Sequence, residues 1–265
     1  MIDLHAHILP GLDDGVRTED EAVEFARAAS ADGIRTLVAT PHCKDGFFEN
    51  GRAGILAGVE RLRARLSAES VPLEIVPGAE VHLAPDLPAR VRDGRAPTLA
   101  DNGRTLLLEL SLSQYPVDLE NLVFRLRLAG VLTVFAHPER IRYFQEDVAR
   151  YEAVDRLGAF GQITAGSVLG DFGREAKEFG EELMRRRLIH VIASDSHDLR
   201  GRPPRIRDAV RAVADTLGER EAAAMVEEAP RALLEGREPE APGPGREEPR
   251  RRGWLARLFR GSGGV

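Results

Sequence analysis

Short apolar runs alternate with longer stretches of mixed polarity along most of this chain. The runs are Ile2–Leu4, Ile34–Ala39, Leu73–Val76, Thr105–Leu110, Val131–Ala136, Phe160–Thr164 and Ile189–Ala193. Most are rich in Val, Ile and Leu and apolar on successive positions, as expected of parallel strands covered on both faces. Between them the apolar spacing becomes helical. Thr18-Glu19-Asp20-Glu21 has the form of a capping box, and Ala22, Val23, Phe25, Ala26 and Ala29 continue it as one stripe. Helices are likewise predicted over Ile55–Leu66, Leu119–Leu128, Val148–Leu157 and Ala176–Leu188, with stops at Gly130 and Gly158. Two further helices are expected over 203–235. Seven strands separated mostly by helices predict an α/β fold with a parallel sheet closed, or nearly closed, into a barrel.

The pattern ends near residue 235, which sets the first domain at 1–235. Residues 236–249, rich in Pro, Gly and charge, read as a disordered linker. Residues 250–265 form a basic aromatic tail. From Arg246 to Arg260 there are six Arg and two Glu, with the single Trp of the chain among them. Such a tail suits peripheral contact with an anionic membrane or docking on a partner.

Composition narrows the function. A net charge of −6 over 265 residues argues against a nucleic-acid binder. One cysteine excludes an internal disulfide and a four-cysteine zinc site, and fits a reducing cytoplasm. No apolar run of about 18 residues exists to span a membrane, and no signal peptide is expected from the N-terminus.

The polar residues that remain gather where strands end. His5 and His7, two positions apart, point the same way from an extended chain, and Asp14 follows. His42 follows the second run and Glu80 the third. Glu109 lies within the fourth. His137-Pro138-Glu139-Arg140 closes the fifth, and Asp195 and His197 the last. Reactive groups of barrels collect at the C-terminal strand ends. So many imidazoles and carboxylates exceed what one ion needs, so two or three divalent ions are expected. Imidazole with carboxylate suits Mn, Fe, Zn or Co equally. Arg140 and Arg202 lie close enough in sequence to these groups to clamp a phosphate. His82 follows Glu80 by two and could face the same rim but is not expected as a ligand, and His190 reads as structural. Tyr115, Phe47 and Phe48 lie in loops where they could stack on a substrate ring. The glycine-rich loop Gly166-Ser167…Gly170…Gly173 could approach substrate.

Taken in order, Asp3-Leu-His-Ala-His-Ile-Leu-Pro-Gly-Leu-Asp-Asp-Gly15, Thr40-Pro-His42, Gly78-Ala-Glu80, Ala136-His-Pro-Glu-Arg140, Thr164-Ala-Gly-Ser167, Ser194-Asp-Ser-His197 and Arg202-Pro-Pro resemble the polymerase-and-histidinol-phosphatase superfamily. More narrowly, they resemble its bacterial manganese-dependent protein-tyrosine phosphatases of the CpsB/YwqE type, which act in capsule and exopolysaccharide regulation. The resemblance implies a distorted (β/α)7 barrel holding Mn2+, with Mg2+ a further possibility. His5, His7, Glu80 and Asp195 would hold one ion. Glu80, Glu109 and His137 would hold a second, and Asp14, His42 and His197 a third. Arg140 and Arg202 would clamp the phosphate, and an activated water rather than a cysteine would attack phosphorus. The implied substrate is a phosphotyrosine protein, a bacterial tyrosine kinase, met in the cytoplasm or at the membrane surface. Oligomers are compatible with the resemblance. One position departs from the pattern: Cys43 stands where relatives often carry a second His. Two other readings fit the same residues, a small-molecule phosphatase of the histidinol-phosphate kind or another phosphoesterase, and a regulatory module without catalysis.

Overall fold

The computed structural model describes residues 1–240. The remainder of the linker and the whole basic tail lie outside the described residues. Each predicted run contains a strand, but nine strand segments are found among the described residues: β1 (Ile2–Ala6), β2 (Thr36–Ala39), β3 (His42–Cys43), β4 (Glu74–Pro77), β5 (Glu80–His82), β6 (Thr105–Glu109), β7 (Leu132–Ala136), β8 (Phe160–Thr164) and β9 (Val191–Ala193). The two extra segments arise because β2 and β4 resume after a break. Thr40-Pro41 interrupts the first, where proline offers no N–H to a ladder. Gly78-Ala79 interrupts the second, and a Cβ on Gly78 would lie 2.7 Å from Val38 Cγ1. Both breaks deliver a ligand-type residue, His42 and Glu80, to the start of the new segment.

All pairings between these strands are parallel. One sheet has the order β1-β2-β4 and the other β3-β5-β6-β7-β8-β9. Beyond β9 the chain runs beside β1: Asp195 N–H donates to His5 O at 2.8 Å and His7 N–H to Ser196 O at 2.9 Å. An α/β fold with parallel sheets is therefore as the sequence predicts.

The expected helices appear as α1 (Glu19–Asp32), α2 (Arg52–Ala68), and, after the unpredicted α3 (Leu87–Arg92), α4 (Leu119–Leu128). The unpredicted α5 (Arg142–Glu146) precedes α6 (Val148–Arg156), and the unpredicted α7 (Ala165–Leu169) precedes α8 (Arg174–Arg185). Helices of five or six residues are too short to show a 3.6-residue period, which is why the pattern misses them. The two closing helices expected over 203–235 prove to be three, α9 (Arg207–Leu217), α10 (Glu219–Ala224) and α11 (Glu228–Leu234). Gly218, at φ 105°, divides the first two. The capping box is half realised. Thr18 Oγ1 accepts from Glu21 N–H at 3.2 Å, but the Glu21 carboxylate takes the N–H of Arg17 at 2.9 Å.

Two-sided burial explains the apolar runs. In β6, Leu106 and Leu108 pack with the helices while Leu107 faces a second cluster. In β7, Phe135 joins the first and Val134 the second, and in β9 Ile192 and Val191 divide likewise. The second cluster, mostly strand residues, is sealed by Ala229 and Leu233 of α11. Truncating one such leucine to alanine costs about 2–5 kcal/mol. This packing fixes where the strands end, and the polar residues stand at those ends.

Candidate metal centre

β1 presents Asp3, His5 and, just past its end, His7, all fully buried. Asp3 is a supporting residue. Its carboxylate accepts the N–H and Oγ–H of Ser194 at 3.0 and 2.5 Å, tying β1 to the segment after β9. Burial pushes its pKa up to about 6, against these hydrogen bonds.

The two histidines converge. His5 Nδ1 lies 2.9 Å from Gln162 Oε1, and His7 Nδ1 lies 2.6 Å from Asp13 Oδ2. Both partners are acceptors, so each Nδ1 carries the proton and each Nε2 keeps a lone pair. Those two Nε2 atoms lie 3.1 Å apart. Two imidazole nitrogens at that distance are held together by a shared cation, either a proton or a metal ion. Two carboxylates join them. Glu80 Oε2 is 3.3 Å from His5 Nε2 and 3.6 Å from His7 Nε2, and Asp195 Oδ1 is 3.4 and 3.5 Å from the same atoms. Both acids are almost fully buried.

Glu80 also reaches outward from this pair. Its Oε1 lies 2.9 Å from His137 Nε2 and its Oε2 lies 2.9 Å from His42 Nδ1. Neither Glu80 Oε2 nor His42 Nδ1 has a hydrogen bond of acceptable geometry, so both are buried without a partner. Glu109 Oε2 stands 3.8 Å from His42 Nδ1 and 3.2 Å from His82 Nδ1. At the mouth, Asp14 Oδ1 lies 3.5 Å from His42 Nε2 and 3.4 Å from His197 Nε2.

Three overlapping groups have ligand atoms within 4.8 Å of one another: His5, His7 and Glu80; His42, Glu80 and Glu109; and His7, Asp14, His42 and His197. The structure thus brings all nine sequence-predicted ligands to one rim, grouped somewhat differently. His42 rather than His137 stands with Glu80 and Glu109, and His7 joins the outer group. Glu109 is not enclosed in an apolar strand as the sequence suggests. It ends β6 and is 18% exposed, so the cost of a buried carboxylate falls on Glu80 instead.

The electrostatics favour cations. Burial opposes ionisation of Glu80, yet His5, His137 and His42 hold its carboxyl well below the usual range. Asp195 is held low in the same way, against burial, by His5, His7, His137 and Arg202. Burial resists charging His7, but Asp13 and Asp195 overcome it and raise its pKa to about 10. The field that draws a proton onto His7 is the field that draws a divalent ion. Borderline ions with N and O preference fit this donor set.

Backbone strain sits here too. His137, at φ 38°, and Asp195, at φ 50°, are left-handed non-glycine residues immediately past a strand or one residue beyond it. Behind them come the arginines. Arg140 Nη1 lies 2.6 Å from Asp195 Oδ2, and Arg202 Nη2 contacts the same oxygen. Arg202 Nη1 is 3.1 Å from His197 Nε2.

Of the remaining candidates, His82 meets Glu109 as described. His190 lies at the far end, where its Nδ1 accepts Gly161 N–H at 3.3 Å. Tyr115 packs edge-on against Tyr143 and donates to Glu120 Oε1 at 2.7 Å. Phe48 stacks on His42 with ring centroids 5.5 Å apart, and Phe47 is 76% exposed. Cys43 Sγ donates to Asn50 O at 3.2 Å, and burial pushes its thiol up, away from thiolate. Sequence reasoning missed Asp13 and Gln162. Asp13 accepts from His42 N–H and Gly15 N–H as well as His7. The doublet Asp13-Asp14 and an amide inside the apolar run of β8 were the signals available.

Comparison with known proteins agrees with this geometry. Residues 1–235 match the family described as capsular polysaccharide synthesis, CpsB/CapC. The tyrosine-protein phosphatase YwqE of Bacillus subtilis is 37% identical over 202 residues, 76% of this chain and 79% of that protein. The tyrosine-protein phosphatase CpsB of Streptococcus pneumoniae is 28% identical over 239 residues, 88% of this chain and 98% of its own. A crystal structure from work on those two proteins, described there as unique metal-dependent tyrosine phosphatases, superposes with a TM-score of 0.86 at 34% identity, covering 93% of this chain and 100% of the other. On the match over residues 1–235 and the shared fold, this chain belongs to the CpsB/CapC family.

Proposed function

We propose that this protein is a metal-dependent protein-tyrosine phosphatase. The observation that carries the reading is the meeting of five histidines, four carboxylates and two guanidiniums at one rim, with the His5 and His7 Nε2 atoms turned toward each other at 3.1 Å. Family membership supplies the substrate class, since the relatives above are named tyrosine-protein phosphatases. The scaffold is a distorted (β/α)7 barrel spanning residues 1–235, supported by the contacts between β1 and the segment after β9.

His5, His7, Glu80 and Asp195 would hold one ion, Glu80, Glu109 and His137 or His42 a second, and Asp14, His42 and His197 a third. Mn2+ is our choice of metal. When bound, such ions supply a water acidic enough to act as nucleophile near neutral pH and charge that offsets the phosphoryl oxygens. The chain supplies everything else. Asp13 and Gln162 hold the imidazole rings with their Nε2 atoms turned inward. Arg140 uses one donor on Asp195, and Arg202 one on Asp195 and one beside His197; their remaining N–H groups are left for phosphate oxygens, where a planar fork binds two at once. No cysteine takes part. The physiological substrate we propose is a bacterial tyrosine kinase governing capsule or exopolysaccharide synthesis. The basic tail would bring the enzyme to the cytoplasmic membrane surface. No helix among the described residues is long and apolar enough to cross one.

The test is hydrolysis of a phosphotyrosine peptide beside histidinol phosphate, after chelation and again after Mn2+ return. Loss on chelation and recovery on the peptide, with histidinol phosphate slow, is the expected result. Turnover of histidinol phosphate alone would move the protein to small-molecule chemistry. Metal binding with no turnover of either would leave a regulatory module.

A further inference from the structure

The loop after α7 touches both arginines. Phe172 lies at its tip. The Arg140 guanidinium carbon stands 4.2 Å from the centre of the Phe172 ring, and that of Arg202 stands 5.5 Å from it. One aromatic ring therefore supports both groups that would clamp the phosphate. The backbone is shaped to put it there. Gly170 and Gly173, on either side, take φ of 94° and 92°, a region closed to most side chains. Asp171 N–H is tied back to Gly166 O at 2.8 Å, and Gly173 N–H to Gly170 O at 3.1 Å. Gly166 lies against the ring, since a Cβ there would fall 2.8 Å from Phe172 Cε2.

We infer that Phe172 is a positioning residue for anion binding, holding Arg140 and Arg202 with their N–H edges free toward a phosphoryl group. This rests on the phosphatase reading and deepens it. The physical reason lies in guanidinium geometry. A guanidinium attracted to a ring keeps all of its donors, because the ring takes no hydrogen bond from it. Asp195 pulls on both arginines through one oxygen, Oδ2. Without a second restraint, either arginine could turn more donors onto that buried carboxylate, and fewer would remain for substrate. The ring restrains both at once. Arg205, 3.7 Å from Asp171, adds charge beside the same loop.

Two readouts test this, the dissociation constant of inorganic phosphate measured calorimetrically on the Mn2+-loaded protein and steady-state kinetics on a phosphotyrosine peptide. Phe172→Ala and Phe172→Leu should weaken phosphate binding about tenfold and raise KM by a similar factor, with metal content unchanged. Phe172→Tyr, which keeps the ring, should stay within about twofold. Gly166→Ala, which pushes the ring without deleting it, should fall between. In an Arg140→Ala, Arg202→Ala background, Phe172→Ala should add nothing. Phosphate binding by the alanine and leucine variants equal to that of the unaltered protein would overturn the inference, as would Phe172→Tyr failing as badly as alanine. Failure of the unaltered, metal-loaded protein to bind phosphate or turn over the peptide would instead remove the parent reading, and the inference with it.

Discussion

The two ends of β9 show what the fold does with a buried imidazole. Before the strand, His190 packs edge-on against Phe160 with ring centroids 5.1 Å apart, beside a cavity of about 700 Å3 lined in part by Met184, Ile189, Leu217 and Met225. Burial lowers its pKa to about 4. Past the other end of the strand lies the candidate metal centre, and His7 there goes the opposite way, to about 10. Desolvation acts on both. The difference is that Asp13 and Asp195 stand against His7, whereas among the described residues no carboxylate opposes the loss of water at His190. Burial alone makes a histidine neutral and structural; burial with acids makes it a cation site.

The strongest way to break this contrast is Glu80→Gln, which removes the charge shared among His5, His42 and His137. Ions held there would contribute several kcal/mol of transition-state stabilisation, so weakening their site should lower activity by about 10³-fold or more. Bound metal, measured by elemental analysis, should fall with it. Full metal content and near-normal turnover would mean that the carboxylate is not the bridge. Next come Arg140→Ala and Arg202→Ala, each expected to lower kcat/KM by about 10²-fold to 10³-fold with metal content intact. A parallel loss of metal would show instead that the arginines matter through Asp195. Asp13→Ala should reduce metal affinity or activity by about 10–100-fold by releasing His7 from its orientation. Titration of the apoprotein with Mn2+ reads this directly.

The smallest effect belongs to the opposite end. His190 has a folded pKa of about 4, below the ordinary 6.5. The unfolded chain therefore takes up the proton first as pH falls. The stability this neutral ring contributes is full above pH 6.5, declines as pH drops toward 4 and is gone below it. Between pH 7 and pH 5 the loss is about 2 kcal/mol. His190→Gln should be less sensitive to acid over that interval in urea unfolding, while its phosphatase activity is unchanged. An unaltered acid dependence in the variant would place the titrating group elsewhere.

Much of this was legible from residue order. The runs that became strands were visible because each is buried on both faces, as Leu106, Leu107 and Leu108 show by packing into two separate clusters. The ligand-type residues were visible because they interrupt or end those runs. The short helices α3, α5 and α7 were not, because one turn carries no period. Nor was Phe172, since nothing in the order of residues says that one loop aromatic will lie under two arginines, each about 30 positions away on either side.

The sequence by itself determined the alternation of strand and helix, the family, and which imidazoles and carboxylates gather at the strand ends, because hydrophobic periodicity and residue chemistry are local properties. Only the tertiary structure decided which imidazoles and carboxylates stand together, that Asp13 and Gln162 hold the His7 and His5 rings from behind, that Glu80 rather than Glu109 bears the cost of burial, and that Asp195 draws both arginines. Those depend on distances between strand ends far apart in sequence, and packing of the whole sheet sets them.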